Sequence, residues 1–234
     1  MDEIVERAVK DGQALVAALF DAAIIENFGD APFAPGALPP ASLAALAVVA
    51  DQVRRAVGMP IGINALRNDA LGALGVAAAC GASFIRVNVH TGVSATDQGM
   101  LEGRAHTTLA YRKQLGRRIA ILADVHVKHA TPISEPDLYR AAREVAYRGL
   151  ADGLIVTGPA TGEAVDSDDL RRVREAVPDR RVFVGSGARA ETVQSLLSLA
   201  SGVIVGSSIK VGGRPKNPVD PVRARAFTRA AGRG

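Results

Sequence analysis

Short apolar runs alternate along this chain with longer stretches in which apolar residues recur at helical spacing or alanine dominates. A run of strand length that leads into an amphipathic stretch predicts a β-strand followed by an α-helix, and repeats of that unit predict a parallel sheet. Seven strands are predicted in this way, at Ala22–Phe28, Ile61–Leu66, Phe84–His90, Ile119–Lys128, Gly153–Gly158, Val182–Gly185 and Gly202–Val205.

The intervening stretches predict helices, and their number favours a closed barrel over an open sheet. The chain begins with a helix where a barrel begins with a strand, so the expected fold is a (β/α)₈ TIM-type barrel without its first strand, in one domain over residues 1–234. Open sheet edges need cover, which predicts a homo-oligomer. Helices are expected at Asp2–Phe20, Leu43–Val57, Asp69–Ala79, Glu102–Leu115, Pro136–Arg148, Asp168–Ala176 and Glu191–Leu199.

Polar residues recur at every second position in two neighbouring strands. Arg86, Asn88 and His90 alternate with apolar residues in one strand, and Asp124, His126 and Lys128 do so in the next. Because helices cover the outside of a parallel barrel, such a polar face must point into its interior. Burying these groups is costly unless they bond one another or a ligand, so this stripe is the predicted active site. Glu26 and Asn64, near the ends of the earlier strands, are expected to join it.

The stripe leaves several chemical roles open. Arg86 and Asp124 fit a buried ion pair as well as a substrate site. Asp124, His126, Lys128 and His90 are the candidate catalytic residues, with Lys128 as a Schiff-base nucleophile or a phosphate ligand. The sequence does not identify a cofactor. A divalent metal bound by Asp124, His126, His129 and His90 is the less favoured alternative, since their spacing matches no metal motif.

Two glycine turns follow the last two predicted strands, about 20 residues apart. Gly and Ser at the end of a strand leave backbone N–H groups open to a ligand, and a pair of such turns resembles the phosphate cradle of a (β/α)₈ barrel. The predicted ligand is therefore a phosphorylated small molecule. The candidate binding residues are Gly185, Ser186, Gly187, Gly206 and Ser207, with Thr157 and Gly158 from the preceding loop and Arg86 and Asn88 orienting the substrate.

Composition narrows the class of function. The chain has a net charge of +4, but its aromatic content is only 4% and it has no Trp, which argues against a nucleic-acid partner. The single Cys80 excludes an internal disulfide and agrees with a reducing compartment. No apolar stretch is long enough to cross a membrane, and the acidic start is unlike a signal peptide, so the expected location is the cytoplasm.

Several longer runs of this sequence resemble the BtpA/SgcQ family. The resemblance extends from about Ile4 to about Asp220 and includes both glycine turns. The runs that carry it are Ile25–Phe33, Gly62–Asp69, Phe84–Gly92, Thr96–Gly99, Glu102–Ala105, Ala123–His129 and Ile155–Gly162.

The resemblance implies a barrel similar to those that bind ribulose phosphates. It also implies two functions between which the residues do not choose. One is an enzyme of sugar metabolism that acts on a phosphorylated sugar or nucleoside-like molecule, by isomerase, lyase or glycosyl-bond chemistry. The other is a non-catalytic assembly factor for a membrane complex, as in photosystem I biogenesis, with peripheral membrane association. Family members typically carry a strand before the helix that corresponds to Asp2–Phe20, and that strand is not in this sequence.

Overall fold

A computed structural model describes residues 1–158 and 163–233 of the chain. Seven parallel strands form one sheet, which confirms all seven predicted strands. The described residues thus form an α/β barrel with one strand fewer than the usual eight, as predicted. In their order across the sheet, the strands are β1 Ala23–Glu26, β2 Ile61–Asn64, β3 Phe84–Val87, β6 Ala120–Asp124, β8 Gly153–Val156, β9 Arg181–Val184 and β10 Gly202–Val203.

Eight α-helices accompany the strands in the described part of the chain. The helix Pro221–Ala230 was not predicted, because its many arginines obscure the buried Ala224 and Phe227 that hold it to the core. The helices are α1 Asp2–Ala17, α2 Pro40–Val57, α3 Ala70–Cys80, α4 Ala105–Gln114, α5 Leu138–Arg143 (continued by a π-helical turn, Glu144–Arg148), α6 Ser167–Ala176, α7 Val193–Leu199 and α8 Pro221–Ala230.

A second, three-stranded antiparallel sheet lies beyond the carboxyl ends of β3 and β6. It consists of β4 Val93–Thr96, β5 Gly99–Glu102 and β7 Ala130–Pro132, in the order β5-β4-β7. The sequence prediction treated these segments as loops or as a helix start. Their strands are short and only Leu101 is fully buried, so no apolar run marks them.

Two of the predicted parallel strands end earlier than expected. Pairing between β3 and β6 stops at Val87 and Ala123, and pairing between β6 and β8 stops at Asp124 and Ile155. Beyond these points the chain leaves the sheet, so the in–out alternation of side chains no longer applies. The strands therefore do not extend to His90 and Lys128.

The sheet buries one apolar face under the helices and fills its inner face with a few large side chains. Outward residues such as Ile63 and Leu154 pack with the helices in two core clusters, one in each half of the chain. Inside, Phe84 and Phe183 occupy space that glycines leave open: a Cβ on Gly62 would come within 2.1 Å of the Phe84 ring. An apolar plug thus closes the interior below the polar layer.

The sheet is open between β1 and β10, which pair with no further strand in the described residues. Both strands are only half-buried, whereas β2 and β8 are fully buried. The helix layer spans this gap: Phe20 after α1 stacks on Phe227 of α8 with ring centroids 6.0 Å apart. Asp11 of α1 also accepts a 2.8 Å hydrogen bond from the Val219 amide, so the two ends of the chain meet around the opening.

Candidate active site

A buried ion pair links β3 to β6 at the centre of the polar stripe. Arg86 Nη2 lies 3.1 Å from Asp124 Oδ1, and Arg86 Nε donates to the same oxygen at 3.2 Å. Asn88 Nδ2 donates to Asp124 Oδ2 at 2.7 Å. All three residues are at most 4% exposed, as the alternation of β3 and β6 predicts for Arg86 and Asp124. The central residues of the predicted stripe thus form a buried ion pair, one of the two roles expected for Arg86 and Asp124.

Asp124 is poised between two opposing influences on its acidity. Burial raises the pKa of its carboxyl group, while the charge of Arg86 and the hydrogen bond from Asn88 oppose that rise. Asn88 Oδ1 meets no hydrogen-bond donor among the described residues, although it is buried. A buried acceptor without a donor is unusual, and it marks this layer as incomplete without a further group.

The network continues to β1 and β2 through Glu26 and Asn64. Asn64 Nδ2 donates to Glu26 Oε1 at 3.0 Å, and the same oxygen lies 3.8 Å from Arg86 Nη1. Glu26, Asn64, Arg86, Asn88 and Asp124 thus form one connected layer across four neighbouring strands, as the sequence predicted.

Lys128 reaches the same site although β6 has ended four residues earlier. Burial lowers the pKa of its ammonium group, and the charge of Arg86 lowers it further. A Lys with a lowered pKa holds a larger neutral, nucleophilic fraction near pH 7 than a solvated one. Arg67, in the connection after β2, donates from Nη2 to the Lys128 carbonyl oxygen at 2.7 Å and is only 5% exposed.

Arg67 is the residue that the sequence prediction missed. It lies outside the predicted strands, so the alternation of polar and apolar residues does not predict its position. The next residue, Asn68, has a structural role. Its side chain donates to the Val89 carbonyl and accepts from the Val89 N–H, which fixes the chain beyond β3.

The two histidines of the stripe lie apart from the ion pair. His90 is 1% exposed and its Nε2 lies 2.8 Å from the Gly149 carbonyl, against the connection between α5 and β8. Burial lowers the pKa of His90, so the neutral ring donates from Nε2 to that carbonyl. His126 Nε2 lies 3.0 Å from the Glu135 carbonyl, beside a cavity of about 240 Å³ that Asp137 and Arg172 also line.

The metal alternative requires Asp124 and three histidines to converge. Among the described residues, no three His, Cys, Asp or Glu side chains are placed so that they could hold a metal ion. His90 and His126 instead contact the backbone carbonyls of Gly149 and Glu135 through Nε2.

The two glycine turns meet at the carboxyl ends of β9 and β10. Ser208 Oγ donates to the Ala188 carbonyl at 2.8 Å, which joins one turn to the other. The Gly185 amide bonds Val156 in the sheet, and the Gly158 amide bonds Ser186 Oγ. By contrast, the amides of Gly206 and Ser207 meet no acceptor among the described residues.

The turns also adjoin the polar layer. A Cβ added to Gly185 would lie 3.4 Å from Arg86 Nη2 and 2.9 Å from the Thr157 side chain. Thr157 Oγ1 in turn donates to the His126 carbonyl at 3.0 Å. Residues 159–162 of the predicted loop lie outside the described part of the chain, so only Thr157 and Gly158 of that loop are placed.

The architecture defines the protein as a member of the (β/α)-barrel class. A solved orotidine 5'-phosphate decarboxylase from Pyrococcus horikoshii superposes with a TM-score of 0.64 at 18% identity, covering 97% of this chain and 94% of the other. Phosphoribosyl anthranilate isomerase from Thermus thermophilus gives a TM-score of 0.63 at 14% identity, covering 96% and 94%. At such low identity these likenesses concern the fold alone.

Within this class the chain belongs to the BtpA family, whose sequence model matches residues 1–233. The photosystem I biogenesis protein BtpA of Synechocystis sp. is 46% identical over 231 residues, covering 99% of this chain and 80% of the relative. An uncharacterized protein of Pyrococcus furiosus is 44% identical over 228 residues, covering 97% and 86%. The family resemblance drawn from the sequence is thereby confirmed.

None of the helices in the described residues combines the length and the apolar character needed to cross a membrane. The cytoplasmic location and the oligomeric state remain predictions.

Proposed function

We propose that this protein is an enzyme that acts on a phosphorylated sugar or nucleoside-like small molecule at the carboxyl ends of its strands. The observation that carries this proposal is the buried layer formed by Arg86, Asp124 and Asn88 beside the partly buried Lys128. Buried ionisable groups with displaced pKa values are costly to maintain and cluster where chemistry is done.

The site has parts that suit the two tasks of such an enzyme. The glycine turns offer the unoccupied amides of Gly206 and Ser207 to a phosphate. Lys128 and Asp124 lie toward the centre of the barrel mouth, where (β/α) barrels place their reacting groups. In this proposal Lys128 acts as nucleophile or proton donor and Asp124 moves a proton or orients Lys128.

A ligand screen tests the first part of the proposal. We expect at least one phosphorylated sugar or nucleotide to raise Tm in a thermal-shift assay, and mass spectrometry to show its consumption. Ser207→Pro removes one amide donor of the second glycine turn and should abolish the shift, with circular dichroism confirming that the variant is folded. Ser207→Ala, which keeps the amide, is the matched control and should retain it.

The proposal fails if no phosphorylated compound, inorganic phosphate or sulfate stabilises the protein. It also fails if Ser207→Pro and Ser207→Ala bind the active compound equally well. Lys128→Met provides the chemical test: consumption of the compound should fall by at least 100-fold, since general acid–base or covalent steps contribute this much or more.

A second candidate function is assembly of a membrane complex, without catalysis. Two observations favour it: the 46% identical relative is named a photosystem I biogenesis protein, and the edge strands β1 and β10 are half-buried. Co-sedimentation with membranes that is unchanged by Lys128→Met and Ser207→Pro would support assembly, whereas consumption of a phosphorylated compound lost in both variants would support the enzyme.

A further inference from the structure

We infer that Arg67 and Lys128 form a second anion site, distinct from the glycine turns, so that the ligand of this barrel carries two anionic groups. The inference rests on the proposed function, because it assigns both groups to the same small molecule. The second group is a phosphate or a carboxylate.

The side chain of Arg67 is in direct contact with the backbone of Lys128. β2 and β6 are next-nearest neighbours in the sheet, separated by β3. The Arg67 side chain crosses the end of β3, and its Nη2 donates to the Lys128 backbone carbonyl at 2.7 Å. Both residues are therefore brought to the same part of the barrel mouth, close enough for the charge of Arg67 to lower the pKa of Lys128.

The carboxylates of the polar layer pair with Arg86 rather than with these two cations. Glu26 and Asp124, the carboxylates of this layer, both lie within 4.0 Å of Arg86. Among the described residues, neither Arg67 nor Lys128 forms a salt bridge. Arg67 is only 5% exposed. Its burial lowers the pKa of the guanidinium group by more than the nearby carboxylates of Asp124, Asp97 and Glu26 raise it.

A buried cation beside a partly buried one has lost hydration and is repelled by its neighbour, so an arrangement of this kind is stabilised by an anion from outside the chain. One nitrogen of the planar Arg67 guanidinium donates to the Lys128 carbonyl oxygen, and the remaining N–H donors are left for a phosphate or carboxylate. Lys128 supplies a point charge to the same group. The pair thus has the charge, the donors and the desolvation that anion binding requires.

The glycine turns lie on the other side of this layer. They follow β9 and β10, whereas Arg67 and Lys128 follow β2 and β6. Arg86 and Asp124 lie between the two positions, with Arg86 Nη2 facing Gly185. A ligand anchored at both ends would therefore place its middle atoms over the buried ion pair.

Equilibrium dialysis with labelled inorganic phosphate tests the site directly. We expect two equivalents per chain in the native protein, one in Arg67→Met and one in Lys128→Met, with circular dichroism confirming that each variant is folded. Arg117→Met and Lys113→Met remove exposed charges of the same kind and should keep both equivalents. Retention of two equivalents in both Arg67→Met and Lys128→Met would overturn the inference.

The same measurement separates this inference from the proposed function. A single equivalent that Ser207→Pro abolishes, and that Arg67→Met leaves intact, would refute the second site alone. A single equivalent that Arg67→Met abolishes, and that Ser207→Pro leaves intact, would support the second site and refute phosphate binding at the glycine turns.

A chemical readout at Lys128 covers the case in which a variant does not fold. Acetic anhydride modifies the neutral amine, so trace labelling of the native protein at pH 7.5 followed by peptide mass spectrometry reports the reactivity of Lys128. Bound phosphate holds the ammonium in its charged form, and we expect it to slow the labelling of Lys128 at least fivefold while Lys113 is unaffected. Equal labelling of Lys128 with and without saturating phosphate would contradict the inference.

Discussion

The Arg86–Asp124 pair shows how much a single buried contact decides in this fold. Asp124 accepts hydrogen bonds from Arg86 and Asn88, and Arg86 also lies near Glu26. Removing either Arg86 or Asp124 alone therefore leaves an unpaired charge in the barrel interior. The cost of a stranded buried charge is several kcal/mol, whereas removal of the whole pair is much better tolerated.

A double-mutant cycle measures this difference. We expect Asp124→Leu to lower the free energy of unfolding by about 3–5 kcal/mol, and Arg86→Met/Asp124→Leu to be more stable than Asp124→Leu alone. Urea denaturation of the native protein, Asp124→Leu, Arg86→Met and the double variant gives the coupling free energy between the two residues. The exposed pair Arg55 and Asp51 is the control and should couple weakly. Additive effects at Arg86 and Asp124 would contradict the assignment of a charged pair.

Lys128 makes a pH-dependent contribution of opposite sign to that of an ion-paired lysine. Burial lowers the pKa of Lys128 in the folded protein, so the unfolded chain binds the proton more readily. The free energy of unfolding therefore rises with pH between the folded and the unfolded pKa of this residue, and below that window the buried charge destabilises the protein.

We expect Lys128→Met to be more stable than the native protein at pH 7, with an advantage that shrinks as the pH rises toward the ordinary pKa of lysine. Urea denaturation of both proteins at several pH values tests this. Saturating phosphate should reverse the order at pH 7 if the anion binds to Lys128. A constant difference at every pH would show that Lys128 is not desolvated.

At the scale of elements, the glycine turn after β9 is held by close contact with the preceding loop. Gly187 has a φ of +71°, and a Cβ on it would lie 2.1 Å from the Glu163 carbonyl oxygen. Both the left-handed conformation and the contact exclude larger residues.

Gly187→Ala should therefore lower the free energy of unfolding by about 2 kcal/mol or more, since strain and steric overlap add. Gly36→Ala is a suitable control, because a Cβ there meets nothing within 4 Å, and its effect should be within about 0.5 kcal/mol of zero. Thermal and urea denaturation measure both. Equal stability of the two variants would show that the turn adjusts to a side chain.

The elements also show which parts of the site a sequence can predict. Arg86 and Asp124 lie inside β3 and β6, where alternation is enforced by the pleat, and both were placed correctly. His90 and His126 follow the last paired residues of these strands, and their side chains turn to the carbonyls of Gly149 and Glu135. Alternation is a property of pairing, so it could not predict residues beyond the end of the ladder.

The antiparallel sheet and Arg67 were missed for a related reason. β4, β5 and β7 bury almost nothing, so hydrophobic patterning gives no signal for them. Arg67 enters the site through a side chain that spans the end of β3, and its position depends on the tertiary contact with Lys128. Such contacts have no period along the chain.

At the scale of the molecule, the opening makes β1 and β10 edge strands, unlike the other five strands of the parallel sheet. An edge strand has half of its amides unpaired, and it is screened from water on one side only. By contrast, β2 and β8 in the middle of the sheet are bonded on both sides and fully buried.

Hydrogen–deuterium exchange should reveal this difference. We expect amides of residues 22–27 and 201–206 to exchange at least tenfold faster than those of residues 61–64 and 153–156, because edge strands open without breaking a second ladder. Peptide-level mass spectrometry measures this, and the exposed helix α1 provides an internal reference. Equal protection of β1 and β2 would indicate that the opening is covered in solution.

The contacts that carry α1 across the opening join residues more than 200 positions apart, as between Asp11 and Val219 or between Asp21 and Arg233. Synthesis proceeds from the amino terminus, so α1 leaves the ribosome long before α8 exists. The core cluster between Leu38 and Ile121 can form in that interval, because its members belong to the first half of the chain. The second half then has to add to the edge of β6, and the final helix closes the contact with α1. A chain that ends before Val219 would contain all seven parallel strands but lack the contacts across the opening, which leaves the edges of β1 and β10 available for pairing with another chain.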